Sequence, residues 1–301
     1  MPIPAVAFAV LSVLLTVAQT SSTLRVDPPI ACGSCAEWNR PQEPFKLFGN
    51  TYYVGVEGLS AMLIASDQGL ILLDAALPQS ARLIDANIRR LGFRTEDIRL
   101  IVTSHAHYDH VGGVAAFQRA SGAAVAASPS SARALESGFP TPDDPQVAFG
   151  ETNRFAPVKP VRVIADGEVL RVGPLAITAH FTPGHTPGST TWSWQSCEAG
   201  RCLNVVYADS LNAVSHDSFR FSGDTSRPSL FPTFRKSIET VGGLACDIVV
   251  AVHPGFTDIA GKLKRRAASA AIDPFIDAQG CRNYAADAMK RLDARAAQEA
   301  R

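Results

Sequence analysis

Residues 103–110 read TSHAHYDH and place three of the chain's seven histidines within six residues. The apolar strand pattern LIVTS runs directly into this motif. In an extended segment residues i and i+2 project to the same side, so His105 and His107 are placed to bind one metal together. Asp109 and His110 lie where the chain turns toward the next helix, and they point to a second metal nearby. Imidazole with carboxylate is a ligand set that suits zinc.

Two further histidines end strand-like segments in the second half of the chain. His185 lies in FTPGHTPGST and His253 in VVAVHPG, and both are flanked by glycine or proline. A stiff Pro-Gly turn makes a rigid platform for a metal ligand. An isolated histidine is more often an ordinary surface or core residue, but the motif at 103–110 favours the ligand interpretation for both. We predict that His180 and His216 are not ligands.

The remaining pattern predicts an α/β protein. From about residue 45 short strands follow one another as TYYVGVEG, SAMLIAS and GLILLD, which indicates an antiparallel meander. After Pro78 the apolar positions Ile84, Ile88 and Leu91 change to a helical spacing that ends at Gly92. The second half repeats the scheme with the strands VRVI, EVLRV, LAITAHF, TTWSW and NVVYA, a helix near 231–241, the strand DIVVAV and two further helices.

The proline-rich stretch 138–160 lacks periodicity and is long for a connection between elements. Two interpretations stay open for it: a functional cover over a site, or a tolerated surface loop.

Composition excludes one class of partner. The 301 residues carry a formal net charge of zero, and no long run of lysine and arginine is present. A protein that neutralises a phosphate backbone needs clustered positive charge, so we expect no nucleic-acid partner. With 46% hydrophobic residues the chain is able to bury a sizeable core, as one large domain or two small ones.

The first residues favour export. Residues 1–20 contain the apolar run AVAFAVLSVLLTVA, followed by small and polar residues, which is typical of a cleaved signal peptide. We therefore predict a periplasmic protein with no membrane attachment after cleavage, with residues 21–44 as an N-terminal extension and 45–301 as the main domain. Since no lysine or arginine precedes the run, a retained anchor or a buried helix stays open.

Six cysteines fit an oxidising compartment. Cys197 and Cys202 flank EAGR between two strand-like segments and are placed to close a hairpin. A bridge between Cys246 and Cys281 would tie the last helix to a strand. The remaining pair, Cys32 and Cys35, is a disulfide or two free thiols, because a zinc knuckle needs a second pair at compatible spacing.

Read together, TSHAHYDH, TPGHTPGST and AVHPG resemble the metallo-β-lactamase superfamily. The resemblance extends from about Trp38 onward. YADSLNAVS and the lack of a cysteine ligand are similar to the third, histidine-rich subclass of class B β-lactamases. The resemblance implies a single-domain, four-layer αββα sandwich with its metals at one sheet edge.

The resemblance also implies a ligand set and an activity. His105, His107 and His185 would hold a first zinc ion, and Asp109, His110 and His253 a second. Ser210 stands near the position of the cysteine ligand of other subclasses. The implied reaction is hydrolysis of the β-lactam amide bond of penicillins, cephalosporins and carbapenems by a zinc-bound hydroxide, which would confer antibiotic resistance.

Three residues receive finer roles from the resemblance. Asp109 would be catalytic and orient the hydroxide, while Ser210 and Asn212 would bind the substrate carboxylate. Related members commonly have serine or threonine where Asn212 stands, so substrate preference is left open. Glu57 stands where several relatives have a cysteine, which leaves the pairing of Cys32 and Cys35 open. We expect a monomer.

Two other functions remain alternatives. A thioesterase or lactonase of the same superfamily normally bridges its metals with an aspartate, for which Asp209 is one residue removed from Ser210. A periplasmic zinc-binding protein would saturate the metal, whereas this six-residue set leaves positions for water.

Overall fold

The computed structural model describes residues 24–269 and 272–301. The predicted signal peptide, residues 1–20, lies outside this part of the chain, and the division at residues 21–44 and 45–301 stays a prediction. Among the described helices none has the length and apolar character that crossing a membrane requires.

The described chain alternates short strands and helices. The strands are β1 Phe45–Phe48, β2 Thr51–Tyr53, β3 Met62–Ser66, β4 Gly69–Leu73, β5 Ile98–Val102, β6 Ala124–Ala127, β7 Val161–Val163, β8 Val169–Val172, β9 Leu175–Phe181, β10 Thr190–Glu198, β11 Arg201–Ala208 and β12 Ile248–Ala251. The α-helices are α1 Cys35–Trp38, α2 Ala81–Arg90, α3 Tyr108–Val111, α4 Val114–Ser121, α5 Pro129–Ser137, α6 Phe231–Gly243, α7 Ile259–Ala268 and α8 Gly280–Glu299. Short 3₁₀ turns occupy Pro78–Ser80, Thr95–Asp97, Val147–Asn153 and Pro254–Thr257.

The strands form two sheets. One runs in the order β1-β2-β3-β4-β5-β6-β7, and the other in the order β12-β11-β10-β9-β8. The first half of the larger sheet is the antiparallel meander that the sequence predicts, and β4 to β7 pair in parallel. In the smaller sheet only the pairing of β11 with β12 is parallel.

Side-chain alternation along the strands builds the layers, because successive residues of a strand face opposite sides of the sheet. On β4, Ile71 and Leu73 face the core between the two sheets, whereas Leu70 and Leu72 face the helices. On β11, Tyr207 likewise points between the sheets, and its neighbours pack beneath α6 and α8. Helices α2, α4 and α5 cover the larger sheet. The predicted four-layer αββα sandwich is therefore confirmed.

Most predicted elements are present. Helix α2 ends before Gly92, and α4 ends before Gly122, where φ is +69° and a left-handed conformation closes the helix. The sequence analysis missed the alanine-rich strand β6 and the helix α5. The proline-rich stretch holds only the 3₁₀ turn at Val147–Asn153, as its lack of periodicity predicts.

All three cysteine pairs form disulfides. Cys197–Cys202 closes the β10–β11 hairpin and Cys246–Cys281 ties α8 to the strand β12, as predicted. Cys32 pairs with Cys35 across the start of α1, which decides between the two alternatives for that pair. Glu57 instead forms an ion pair with Arg40.

Candidate metal centre

The candidate site forms where several strands end at the same edge of the sandwich. His105 and His107 follow β5, His185 follows β9, and His253 follows β12. The turn before His185 is tight, since a Cβ on Gly184 would lie 2.4 Å from the ring of Phe234 on α6. Three distant parts of the chain thus meet at one place.

The first group consists of His105, His107 and His185, all buried. Their ring centroids lie 4.8 Å apart for His105 and His107, 4.7 Å for His105 and His185, and 5.1 Å for His107 and His185. One ring nitrogen from each lies within 4.8 Å of the others. Three imidazoles at this spacing are able to hold one metal ion.

The second group lies beside the first. The His110 ring is 4.3 Å from His105 and 5.0 Å from His253, centroid to centroid. Oδ2 of Asp109 lies 3.3 Å from Nε2 of His110 and 3.5 Å from Nε2 of His253. The structure therefore brings together all six residues that the sequence analysis proposed as ligands.

Four of the ligand histidines have a partner on their outer ring nitrogen that fixes the ring. Nδ1 of His105 donates to Asp209 Oδ1 at 2.6 Å. Nε2 of His107 lies 3.0 and 3.1 Å from the two carboxylate oxygens of Asp144. Such contacts orient a ligand and select its tautomer, because the nitrogen that donates leaves the other one with a free lone pair.

Main-chain carbonyls hold two other rings in the same way. Nδ1 of His185 donates to the carbonyl of Asn212 at 2.8 Å, and Nδ1 of His253 lies 3.3 Å from the carbonyl of Gly58. The inward nitrogens are then Nε2 of His105, His185 and His253 and Nδ1 of His107.

Asp74 supports the centre from the end of β4. Its carboxylate accepts hydrogen bonds from the amide and hydroxyl of Ser104 and from the hydroxyl of Tyr207, and it lies 3.7 Å from Nδ1 of His110. Burial raises the pKa of Asp74 to about 6. Its φ of +57° is a strained conformation for a residue with a side chain, which is common at functional sites.

The pKa values of the histidines bear on metal binding, because a metal binds the neutral imidazole. Burial and the neighbouring His110 lower the pKa of His105 well below its ordinary value and that of His253 to about 4. Burial, together with His107, lowers the pKa of His185 to about 4. Burial opposes the charge on His110, but Asp109 outweighs it and raises the pKa of His110 to about 9. Burial opposes the charge on His107 as well, but Asp144 outweighs it and raises the pKa of His107. The lowered pKa values favour the neutral imidazole that binds a metal, and a bound cation would displace the proton that Asp109 stabilises on His110.

Ser210 and Asn212 follow β11 on the rim of the centre. Ser210 is buried and Asn212 half-buried. The carbonyl of Asn212 holds His185, while its side-chain oxygen accepts from Nε of Arg291 at 2.7 Å. Their predicted role as substrate contacts stays a prediction.

The remaining histidines, His180 and His216, lie outside the cluster. Nε2 of His180 lies 2.7 Å from Oγ of Ser193 on the neighbouring strand. His216 packs its ring 5.3 Å from that of Phe149.

Sequence reasoning missed most of the supporting residues. Asp144 lies in the proline-rich stretch, where no motif distinguishes it, and Gln146 lies 3.4 Å from Nε2 of His185. Part of that stretch therefore contacts the centre, through Asp144 and Gln146. For Asp209 the sequence offers only the bridging role of the thioesterase alternative, and the structure places it on the outer side of His105 instead. The signal for Asp74 is its position directly after the buried strand GLILL.

A metal fits this donor set. Nε2 of His105 and both ring nitrogens of His110 are buried without a hydrogen-bond partner among residues 24–269 and 272–301. Buried polar atoms without partners are costly, and a bound cation would satisfy them. The fold and the cluster together define a metal-binding protein of the αββα class.

Comparison with known proteins agrees with this class. Residues 54–194 match the metallo-beta-lactamase superfamily. The Rm3 metallo-beta-lactamase is 50% identical, with a TM-score of 0.86 over 90% of this chain and 100% of that one. MEM-A1, a subclass B3 metallo-beta-lactamase from a soil metagenome library, is 49% identical, with a TM-score of 0.83 over 87% of this chain and 98% of that one.

A curated relative carries a different name. The hydroxyacylglutathione hydrolase of Anaeromyxobacter dehalogenans (strain 2CP-C) is 32% identical over 158 residues, which are 52% of this chain and 47% of that protein. The chain thus matches about half the length of this relative. Together the comparisons show that the chain belongs to the metallo-beta-lactamase superfamily, so the family of hydrolases predicted from the sequence is confirmed.

Proposed function

We propose that this protein is a two-zinc β-lactamase that hydrolyses the amide bond of penicillins, cephalosporins and carbapenems. We further propose that it acts as a monomer in the periplasm, after removal of residues 1–20, and confers antibiotic resistance. The observation that carries the proposal is the cluster of six buried or half-buried ligand-type residues at one edge of the sandwich. The similarity to the Rm3 and MEM-A1 enzymes supports the substrate class.

Different residues of the site would bind the metals, orient the water and bind the substrate. His105, His107 and His185 would hold one zinc ion, and Asp109, His110 and His253 the other. Bound zinc would act as a Lewis acid and lower the pKa of a bound water to about 7. The carboxylate of Asp109 would accept a hydrogen bond from the attacking water and orient it toward the β-lactam carbonyl. Ser210 and Asn212 would donate to the substrate carboxylate and hold the ring in place.

Asp209 favours this proposal over a thioesterase or a lactonase. Its Oδ1 accepts from Nδ1 of His105 at 2.6 Å, so it lies on the outer side of the ring and supports a ligand. A bridging role would need this carboxylate on the inner side. The relationship to hydroxyacylglutathione hydrolase keeps the thioesterase as the second candidate.

The test is ultraviolet-monitored hydrolysis by the purified mature protein. Substrates are a carbapenem, a cephalosporin, a penicillin, a glutathione thioester and an acyl homoserine lactone, each with zinc and with a chelator. We expect chelator-sensitive turnover of the three β-lactams and two zinc ions per chain by elemental analysis.

His185→Ala and His180→Ala form a matched pair, since both remove an imidazole from the same part of the chain. We expect His185→Ala to lose metal and turnover, and His180→Ala to keep both. Turnover of the thioester alone by a two-zinc protein would refute the proposed substrate class. Full metal content in His185→Ala would refute the ligand assignment.

A further inference from the structure

The C-terminal helix α8 places two polar side chains against residues 209–212. The hydroxyl of Tyr284 donates to the carbonyl of Asp209 at 2.8 Å, and Nε of Arg291 donates to Oδ1 of Asn212 at 2.7 Å. The carbonyl of Asn212 also accepts from His185. Asn212 therefore lies between the candidate metal ligand His185 and the guanidinium of Arg291.

Arg291 is fixed in place by its surroundings. Its guanidinium carbon lies 4.7 Å from the centroid of the Phe256 ring, at a distance typical of a cation–π contact. Nη2 is buried and has no hydrogen-bond partner within the described part of the chain. A buried donor without a partner lowers the stability of the fold, so its presence beside the candidate site suggests a functional role for Arg291.

This contact determines how Asn212 meets a ligand. A guanidinium has only donors, so the amide oxygen must face Arg291. The amide nitrogen, with its two hydrogens, is then the group left for a ligand. The positive charge also strengthens the contact and polarises the amide. A serine hydroxyl at this position would be free to rotate and either donate or accept.

We propose that Arg291 is a specificity-determining positioning residue, which locks Asn212 as a donor and so selects substrates that present a carboxylate. This inference rests on the proposed function and deepens it. Arg291 acts through Asn212, because its Nε donates to Oδ1 of Asn212 and its Nη2 is buried.

The test compares a cephalosporin that has its free carboxylate with the methyl ester of the same compound. Arg291→Met removes the donor and the charge. We expect it to raise KM for the acid about tenfold, the effect of one charge-assisted hydrogen bond, with kcat changed less than about twofold. KM for the ester should stay unchanged. Arg291→Lys keeps a charged donor and should restore much of the preference for the acid.

Lys290→Met is the matched control, because Lys290 is the exposed neighbour on α8 and pairs only with Asp287 among the described acids. We expect it to leave both values of KM unchanged. Zinc content and the thermal unfolding temperature are measured for every variant. Arg291→Gln, which keeps a neutral donor, replaces Arg291→Met if the latter fails to fold, with a smaller rise in KM for the acid expected.

The outcomes separate the inference from the function on which it rests. A wild type that cleaves both compounds, with variants that raise KM equally for the acid and the ester, overturns the inference alone. The same holds if the variants lose zinc and kcat together, because Arg291 would then only support His185. A wild type that cleaves neither compound overturns the proposed function and the inference with it.

Discussion

Replacing Asp209 by asparagine tests how the centre selects its ligand nitrogen. The wild-type carboxylate accepts from Nδ1 of His105 at 2.6 Å, which leaves the lone pair of Nε2 facing the other ligands. Asparagine keeps the volume but removes the charge, and its amide is able to donate as well as accept. When it donates to Nδ1, the proton moves to Nε2 and His105 no longer binds metal.

The expected size of the effect follows from this geometry. Both side chains are fully buried, so water cannot replace the lost contact. Removing an outer partner of a metal-bound histidine typically weakens metal affinity about 10- to 100-fold, or about 1.4 to 2.7 kcal/mol. We expect Asp209→Asn to lower zinc affinity within this range while two zinc ions still bind at saturation. If Asp209 were itself a bridging ligand, the stoichiometry would fall.

The assay is competition for zinc with a chromophoric chelator, with stoichiometry from elemental analysis. Asp217→Asn is the control, since Asp217 is an exposed acid in the loop that follows the same strand. Unchanged zinc affinity in Asp209→Asn would refute the reasoning about the tautomer. Loss of one zinc at saturation would instead favour the bridging role of the thioesterase alternative.

Two further predictions concern stability. Burial raises the pKa of four of the chain's five tyrosines, Tyr53, Tyr108, Tyr207 and Tyr284. They stay neutral in the fold but ionise near their ordinary pKa of 10 when the chain is unfolded, so the free energy of unfolding should fall as pH rises above about 10. Phenolate absorbance should then appear together with unfolding. A phenolate titration complete before unfolding would contradict this. Cys246–Cys281 spans 35 residues and Cys197–Cys202 spans 5, so replacing each pair by alanine should cost about 4 and about 2 kcal/mol in urea unfolding. Equal losses would contradict the loop-length argument.

The sequence predicts ligands better than it predicts their supports. His105, His107, Asp109 and His110 are visible because they cluster along the chain, and Pro-Gly turns mark His185 and His253. The supports are single residues brought in by the fold. Asp144 and Asp209 lie 37 and 104 residues from the histidines they orient, and nothing local distinguishes them.

The four layers were predicted from the family resemblance, and the strand sequences agree with them. Strands such as β4 and β11 carry apolar residues on both faces, which indicates sheets covered on both sides. Strand β6 and helix α5 were missed because their sequences, AVAA and PSSARALES, are small and weakly patterned. Their places are decided by packing against β5 and β7, which local sequence does not contain.

Asn212 shows how the centre can keep its metal ligands while its substrate contacts vary. The group that holds His185 is the main-chain carbonyl of Asn212, which every amino acid provides. The side chain is held separately, by Arg291 from α8. A substitution at residue 212 therefore changes the donor offered to the substrate without removing the acceptor that orients His185. We expect Asn212→Ser to alter KM among β-lactams but to keep full zinc content, whereas a loss of zinc would show that the two functions are not separable.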